Sequence, residues 1–238
     1  MTLATRLIWG PFRVSVPRTA RAFARGRCLV VAPRHRVVGI GNIQTGDGRV
    51  GIGMTTYGFT DARMAGLVRV RGSLRFEGKA SIGKGSRWDV GPDAVVRIGD
   101  GTMFGPNTLL VSTTAVTMGR NCGVSWGSQI LDDDFHWMRK GSRVGPRSEA
   151  VIIGEHVGIA HSVRILKGVV LADGCIVAAG SVVTRRFEEP NCLIAGNPAR
   201  VVASDVEWDV EPPKERVAPD VPDVQMGADL PADPAALG

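Results

Sequence analysis

The stretch IGEHVGIAHSVRILKGVVLADGCIVAAGSVV, residues 153–183, carries an aliphatic side chain at every sixth position. These positions are Ile153, Ile159, Ile165, Leu171, Val177 and Val183. An amphipathic helix repeats apolar residues at three and four, and a half-buried strand repeats them at two, so a spacing of six fits neither element alone. It fits a short strand followed by a turn, repeated many times, with one large side chain pointing inward from each strand.

Smaller residues occupy a second recurring position, four residues after each of the first five aliphatic ones. They are Val157, Val163, Val169, Cys175 and Ser181. Upstream, the period of six returns at Ile98, Phe104, Leu110 and Val116 and, after a slip of two residues, at Met118, Val124 and Ile130. The pattern predicts an all-β fold, a parallel β-helix of the hexapeptide kind, in which three hexads close one coil and coils stack at about 4.8 Å.

Charge divides the chain into three parts. Residues 1–36 contain eight arginines and no acidic residue, whereas residues 205–238 contain nine acidic residues, two basic residues and six prolines. We therefore expect a basic lead-in over 1–36, the β-helix over 37–204 and a disordered acidic tail over 205–238. Two interpretations of the lead-in stay open: an arm that covers the end of the solenoid, or an amphipathic segment on an anionic membrane.

Composition and motifs disfavour several classes of protein. The chain has no apolar run of the about 18 residues that a membrane span needs, and its N-terminus lacks the long apolar core of a signal peptide. The four cysteines are far apart and lack metal-type pairing, so we expect reduced thiols in a cytoplasmic protein, at the inner face of the membrane if the lead-in binds lipid. Zinc-finger, zipper and RNA-binding motifs are absent, so we expect no nucleic-acid partner.

Residues 153–202 resemble the C-terminal half of the hexapeptide-repeat acyltransferases, and most of all the sugar and capsular-polysaccharide O-acetyltransferases of that family. The likeness is most specific in AAGSVVTRR, residues 178–186, and AGNPARVV, residues 195–202, and weaker repeats extend it back to residue 37. The resemblance implies a left-handed β-helix, although the general rule for parallel crossovers predicts the opposite hand. It also implies acetyl-coenzyme A or another acyl-coenzyme A as co-substrate, a sugar or glycan acceptor, and a homotrimer with active sites between subunits.

The hexads break at ILDDDFHW, residues 130–137, where three consecutive aspartates precede a phenylalanine and a histidine. The next in-frame position after Ile130 is His136, and the frame returns only at Ile153. Since that gap of 23 residues is five longer than an 18-residue coil, we expect a loop that protrudes from the solenoid. A solvated turn and a catalytic histidine with a carboxylate neighbour both fit these residues.

The family carries a similar D-x-D-F-H segment at this break, and the match falls on Asp132, Asp134, Phe135 and His136. The resemblance implies that His136 is the catalytic base and that Asp134 or Asp132 orients its ring. An imidazole titrates near neutral pH and can remove the proton of an acceptor hydroxyl while that hydroxyl attacks a thioester. A carboxylate on the other ring nitrogen would fix the tautomer.

The same resemblance implies a second set of residues that bind coenzyme A. They are Ala160, His161, Lys167, Ala179, Thr184, Arg185 and Arg200. In the family the pantetheine arm lies in a groove between stacked coils, and the phosphates meet basic residues near the C-terminus. Arg185 and Arg200 suit that role because a guanidinium can bind phosphate oxygens through two hydrogen bonds. The alternative for Lys167 and both arginines is a solvated surface charge.

One segment departs from the family pattern. The usual V-W-I-G is VGIA here, residues 157–160, so Gly158 stands where the family has a tryptophan that commonly lines the acceptor or thioester region. Loss of that ring is expected to open the pocket to a larger acceptor or a longer acyl group, or to weaken the activity. Trp126 and Trp137 are the candidates to fill the space.

Two other functions are alternatives. His156 and His161 are five residues apart, as are two histidines of gamma-class carbonic anhydrases on the same fold, and three histidines with an open position make a catalytic zinc site. The pair occupies different places within the hexads than in those enzymes, so we expect no metal. A non-catalytic scaffold built on the solenoid is the other alternative, which His136 and the intact AAGSVVTRR disfavour.

Overall fold

The structure, a computed structural model, describes residues 8–9, 12–61 and 63–209. In this part of the chain, no helix is long and apolar enough to cross a membrane. Of the acidic tail expected from residue 205, only the residues up to Asp209 fall within the described ranges.

Most strands belong to three sheets. The first sheet contains β4 (His35–Val38), β7 (Gly66–Val70), β10 (Arg87–Val90), β13 (Leu109–Ser112), β16 (Gln129–Leu131), β21 (Arg164–Ile165) and β24 (Val182–Val183). The second contains β5 (Ile43–Thr45), β8 (Ser73–Phe76), β11 (Val95–Ile98), β14 (Ala115–Met118), β19 (Val151–Ile153) and β22 (Val170–Leu171). The third contains β3 (Leu29–Val31), β6 (Val50–Thr55), β9 (Ala80–Gly83), β12 (Thr102–Phe104), β15 (Gly123–Val124), β20 (Gly158–Ile159), β23 (Ile176–Val177), β25 (Leu193–Gly196) and β26 (Ala199–Ala203).

The chain visits these sheets in rotation, third, first, second, from β3 as far as β24. Neighbouring strands within each sheet are parallel, except for the antiparallel pair β25 and β26 at the C-terminal end. Pairing follows the hexads, since Met118 lies beside Ile153, Val124 beside Ile159 and Ile130 beside Ile165. The three-faced parallel β-helix predicted from the period of six is therefore confirmed.

The inward positions of the hexads form one continuous core. The aliphatic residues of the repeat between Ile153 and Val183 are at most 2% exposed, and the smaller residues at the second position are at most 1% exposed. In the earlier coils, aromatic rings fill a wider interior, with the Trp88 ring edge-on to Phe104 at 4.6 Å between centroids. Burial of these side chains is the main favourable contribution to folding.

Within the described residues, the basic lead-in contains a pair of antiparallel strands, β1 (Ile8–Trp9) and β2 (Phe12–Arg13), followed by α1 (Val16–Phe23). The backbone N–H of Ser15 donates to the carbonyl of Val31, and the N–H of Val31 donates to the Thr19 hydroxyl. Both bonds attach the start of the helix to β3. The stack itself begins at Leu29 in β3, earlier than the boundary expected at residue 37.

His35 is a buried histidine that the sequence analysis did not single out. It is 1% exposed, accepts a hydrogen bond at Nε2 from the Gly85 N–H, and donates from Nδ1 to the carbonyl of Pro33. Gly66 leaves room for the ring, since a Cβ there would lie 2.3 Å from its Cδ2. Burial lowers the pKa of His35, and the charges of Lys84 and Arg18 lower it further, against a smaller opposing effect of the Pro33 hydrogen bond.

We expect this histidine to make folding acid-sensitive. The unfolded chain takes up a proton near pH 6.5 and the folded chain only at lower pH, so the free energy of unfolding falls as pH drops from about 7 to 5.5. His35→Gln should flatten this slope, because the neutral amide does not titrate. Urea unfolding at several pH values measures both proteins, and equal slopes would rule His35 out as the source.

Candidate active site

A hairpin, β17 (Arg139–Lys140) paired antiparallel with β18 (Arg143–Val144), lies outside the three sheets between β16 and β19. Ile130 is in the first sheet and Ile153 in the second, so their separation spans one step between adjacent faces. The equivalent step from Leu110 to Val116 takes six residues, so the insertion is larger than the five extra residues expected. The expected length of the insertion was wrong, because the 23 residues between Ile130 and Ile153 were compared with a whole coil of 18 residues and not with one step of six.

Asp132 joins this insertion to the preceding coil. Its carboxylate is fully buried and accepts bonds from the Ser112 hydroxyl at 2.7 Å, the Thr113 N–H at 2.8 Å and the Thr114 N–H at 2.9 Å. These donors belong to the turn after β13. These contacts make Asp132 a support of the turn, and its expected role in orienting the His136 ring stays a prediction.

Asp133 joins the two ends of the insertion. Its side chain is 0% exposed and accepts bonds from Arg147 (Nη2 at 2.6 Å), the Thr113 hydroxyl and the Phe135 N–H. Burial alone raises the pKa of Asp133, but the bonds from Arg147, Thr113 and Phe135 outweigh it and lower the net pKa. The carboxylate is therefore ionised and holds the return segment at Arg147 against the start of the insertion.

Asp134 extends the contacts to the following coil. Its carboxylate lies 2.7 Å from the Lys167 ammonium, which follows β21, while its N–H donates to the Arg147 carbonyl. The three consecutive aspartates thus connect the segment to the coil before it, to the far side of the insertion and to the coil after it. This arrangement holds the backbone that leads to His136 rigidly at the end of β16.

His136 is exposed, and its Nδ1 lies 2.5 Å from the backbone carbonyl of Asp134. A carbonyl can only accept, so Nδ1 carries the hydrogen and Nε2 is left with a free lone pair. Phe135, just before it, has a φ of 63°, a conformation that non-glycine residues rarely adopt and that the bond to Asp133 holds in place. The ring orientation is set by a main-chain oxygen where the sequence analysis expected a carboxylate.

The predicted coenzyme A residues lie at two edges of the β-helix. Lys167 and the pair Thr184 and Arg185 follow β21 and β24, so they share with His136 the edge where first-sheet strands end. The remaining residues are elsewhere. Ala160, His161 and Ala179 lie where the third sheet turns into the first, and Arg200 lies in β26. Arg185 is exposed, with its guanidinium 5.0 Å from the centroid of the Phe187 ring.

An aromatic cluster surrounds His161. Its ring stacks on Trp126 at 4.9 Å between centroids and 2° between planes, and Trp126 also packs edge-on against Tyr57 and Phe59. Tyr57 and Phe59 come from the loop after β6 and are 45% and 57% exposed. Contacts of this kind join residues far apart in sequence, and the hexad pattern carries no signal for them.

The space beside Gly158 is filled by Trp208. The indole of Trp208 packs directly against two glycines. A Cβ added to Gly158 would lie 3.0–3.1 Å from indole atoms, and a Cβ added to Gly123 would lie 2.9 Å from the indole Cη2. Trp208 also stacks on His156 at 4.8 Å and donates from Nε1 to the His156 carbonyl at 2.9 Å. The candidates Trp126 and Trp137 do not take this position. The one available signal was that Trp208 is the single aromatic residue of the acidic segment.

We expect Gly158 and Trp208 to be strongly coupled. Gly158→Trp overpacks the site in the native chain and should lower the free energy of unfolding by about 1–3 kcal/mol. In a Trp208→Ala background the same change should be nearly neutral, because the new ring takes the vacated space. Urea unfolding of the four proteins measures the coupling, and a coupling energy under about 0.5 kcal/mol would show that the two sites are independent.

The metal alternative finds no support in the side-chain geometry. His156 donates from Nε2 to the backbone carbonyl of Trp208 and stacks on the indole ring, whereas His161 stacks on Trp126. Each histidine of the pair is thus packed against a different tryptophan. Among the described residues, no group of three or more histidine, cysteine, aspartate or glutamate side chains is arranged to hold a metal ion.

Comparison with known proteins gives relatives of one kind. No protein-family model matches the chain. It is 33% identical over 181 residues to an uncharacterised 24.8 kDa protein in the cps region of Klebsiella pneumoniae, an alignment that covers 76% of this chain and 81% of the relative. It is 29% identical over 146 residues to the putative lipopolysaccharide biosynthesis O-acetyl transferase WbbJ of Escherichia coli K12, covering 57% and 74%. The structure of the polysialic acid O-acetyltransferase OatWY has the same fold, with a TM-score of 0.58, 21% identity and coverage of 77% and 92%.

A β-helix built on hexads, with relatives of this kind, defines the class: the chain belongs to the hexapeptide-repeat acyltransferase family. It is an acyltransferase. Within the family it is similar to the sugar and polysaccharide O-acetyltransferases, as the motifs at residues 178–186 and 195–202 predicted.

Proposed function

We propose that the protein transfers an acyl group, in the simplest case acetyl, from acyl-coenzyme A to a hydroxyl of a sugar or cell-surface glycan intermediate. The observation that carries the proposal is the exposed His136 with its Nδ1 bonded to the Asp134 carbonyl. The names of the relatives, one in a cps region and others O-acetyltransferases of lipopolysaccharide biosynthesis and of polysialic acid, support a glycan acceptor.

In the proposed reaction His136 is the general base. Its Nε2 takes the proton of the acceptor hydroxyl as that oxygen attacks the thioester carbonyl carbon; the C–S bond then breaks and the coenzyme leaves as a thiolate. The imidazolium returns its proton to the thiolate or to water. Because the acyl group passes directly from sulfur to the acceptor oxygen, no acyl-enzyme forms. The Asp134 carbonyl selects the Nδ1–H tautomer, so that the lone pair of the neutral ring is on Nε2, and it accepts from Nδ1–H throughout the reaction.

Acyl-coenzyme A would be bound by the residues that match the family. Lys167 and Arg185 lie at the same edge as His136, whereas Ala160, His161 and Ala179 lie at another edge. A second copy that presents the other edge would complete the site, which supports the proposal of a homotrimer with active sites between subunits; left-handed coils are proposed from the family resemblance alone. The four free cysteines, three of them buried, support a reducing and hence cytoplasmic compartment.

Arg185 is the residue that we expect to bind the 3′-phosphate of coenzyme A. Arg185→Ala should weaken coenzyme A binding by about 1.5–3 kcal/mol, the contribution of a charge-assisted hydrogen bond, and the loss should shrink with added salt. Calorimetry with coenzyme A and dephospho-coenzyme A tests the contact, with Arg200→Ala as the matched variant. If both variants keep the full preference for coenzyme A over the dephospho form, neither arginine contacts that phosphate.

The proposed activity is tested by coenzyme A release. Purified protein is incubated with acetyl-coenzyme A and a panel of sugars, nucleotide sugars and capsular oligosaccharides, and free thiol is measured. Thiol release that depends on one class of acceptor supports the proposal. Tight coenzyme A binding with no acceptor-dependent release from any of them would instead favour a non-catalytic solenoid.

A further inference from the structure

A cavity lies beneath the N-terminal helix α1, at the end of the β-helix that contains β3 and β4. It has a volume of about 540 Å³ and is lined by four arginines, Arg18, Arg21 and Arg25 of α1 and its C-terminal turn and Arg36 of β4. Its other walls are aliphatic or glycine. They are Val31, Val37, Val38, Gly39, Ile40 and Gly41. We call this cavity the arginine pocket.

The arginine pocket is held together by backbone contacts. Residues 18, 21 and 25 are spaced by three and four, so their side chains share one face of the helix. Arg27 closes the rim, because its guanidinium donates to the carbonyl of Arg25 at 3.2 Å and to that of Gly41 at 3.4 Å. The bond from Ser15 to Val31 fixes the other end of the helix to β3.

The positive charge of the pocket has no carboxylate counterpart in the described ranges. None of the four lining arginines forms an ion pair there, and residues 1–36 contain no acidic residue at all. Like charges at this spacing repel one another. All four arginines are exposed, and a guanidinium can bind phosphate oxygens with two hydrogen bonds.

The pocket lies at the same edge of the β-helix as His136. Gly39 to Gly41 follow the end of β4, and His136 follows the end of β16, four strands further along the first sheet. At about 4.8 Å per strand the two places are about 19 Å apart, a distance that a short oligosaccharide can span. The aliphatic walls beside the arginines suit an apolar group attached to the phosphate.

We propose that the arginine pocket binds the phosphate or diphosphate group of an organic ligand. The shared chemistry is a multiply charged phosphate next to apolar carbon, as in a phospholipid headgroup or a soluble phosphorylated intermediate. If the phosphate belongs to the same molecule as the acceptor sugar, that part of the inference rests on the proposed function. Phosphate binding by the pocket does not.

The test is direct binding of inorganic pyrophosphate to the full chain by calorimetry. We expect the double variant Arg21→Gln/Arg25→Gln to weaken binding at least about tenfold, and Arg21→Lys/Arg25→Lys to fall between it and the native protein. The matched control, Arg75→Gln/Arg97→Gln, removes the same charge from strands of the second sheet and should bind as the native protein does. Undetectable pyrophosphate binding, or equal losses in the pocket and control variants, would overturn the proposal.

Vesicles distinguish the two sources of phosphate. If the ligand is a lipid headgroup, the native protein should sediment with phosphatidylglycerol vesicles and not with phosphatidylcholine vesicles, the pocket variant should not, and pyrophosphate should compete. If the ligand is soluble, pyrophosphate binds and vesicles do not. Vesicle binding that pyrophosphate leaves unchanged would mean a diffuse basic surface and would contradict the pocket. Transfer to a small unphosphorylated acceptor should stay within about twofold of native in the pocket variant, so failure of the proposed activity and failure of this inference are separate results.

Discussion

Replacing His136 by alanine should lower turnover by at least about 100-fold while leaving coenzyme A affinity nearly unchanged. The side chain is exposed, and its one hydrogen bond in the described structure is to the Asp134 carbonyl, so its removal leaves the fold intact. The lost step is proton removal from the acceptor hydroxyl, which a general base accelerates by about 10²–10⁴.

Steady-state kinetics and calorimetry on the same preparations separate chemistry from cofactor binding. Asp132→Asn and Asp134→Asn are informative companions. The Asp134→Asn variant should keep most of the native turnover, because the main-chain carbonyl that orients the His136 ring is still present. Near-native turnover of His136→Ala, with the fold verified by circular dichroism, would remove His136 from the mechanism.

Asp132→Ala should destabilise the protein by at least about 3 kcal/mol, since one buried hydroxyl and two partly buried N–H groups lose a charged acceptor. The donors are the Ser112 hydroxyl and the N–H groups of Thr113 and Thr114, all within 2.9 Å of the carboxylate. The Ser112 hydroxyl loses its partner in a buried position, because Ser112 is 1% and Asp132 0% exposed.

Asp134→Ala is the matched control for this change. Its carboxylate forms a partly exposed ion pair with Lys167, and such pairs contribute about 0–1 kcal/mol. Urea unfolding should therefore separate two neighbouring aspartates by at least about 2 kcal/mol. Equal losses at the two positions would contradict the assignment of Asp132 to the turn.

The C-terminal coils were predictable because their chemistry repeats. One large inward residue every six positions, as at Ile153 and Ile159, requires the same strand and turn each time, and the stacked pairing of these residues follows. The earlier coils are less regular. His35, Trp88 and Phe76 replace aliphatic residues at inward positions, so the period weakens and the start of the stack at Leu29 was missed.

The site was predictable in outline and not in its contacts. The break in the hexads located His136, but the partners of each aspartate depend on which backbone groups the coils bring close. Asp132 faces donors about 20 positions earlier in the chain, and Asp133 faces Arg147. Trp208 covers Gly158 across 50 positions, a tertiary contact that the loss of the family tryptophan hinted at without indicating its replacement.

The central claim, acyl transfer from coenzyme A to a glycan hydroxyl by His136, is most directly tested by mass spectrometry of the acceptor. Capsular oligosaccharides are incubated with acetyl-coenzyme A and either the native protein or His136→Ala. We expect an acetyl ester, removed by mild alkali, on the acceptor treated with native protein and at least about 100-fold less with the variant. Equal acetylation by both proteins, or an alkali-stable amide as the product, would contradict it.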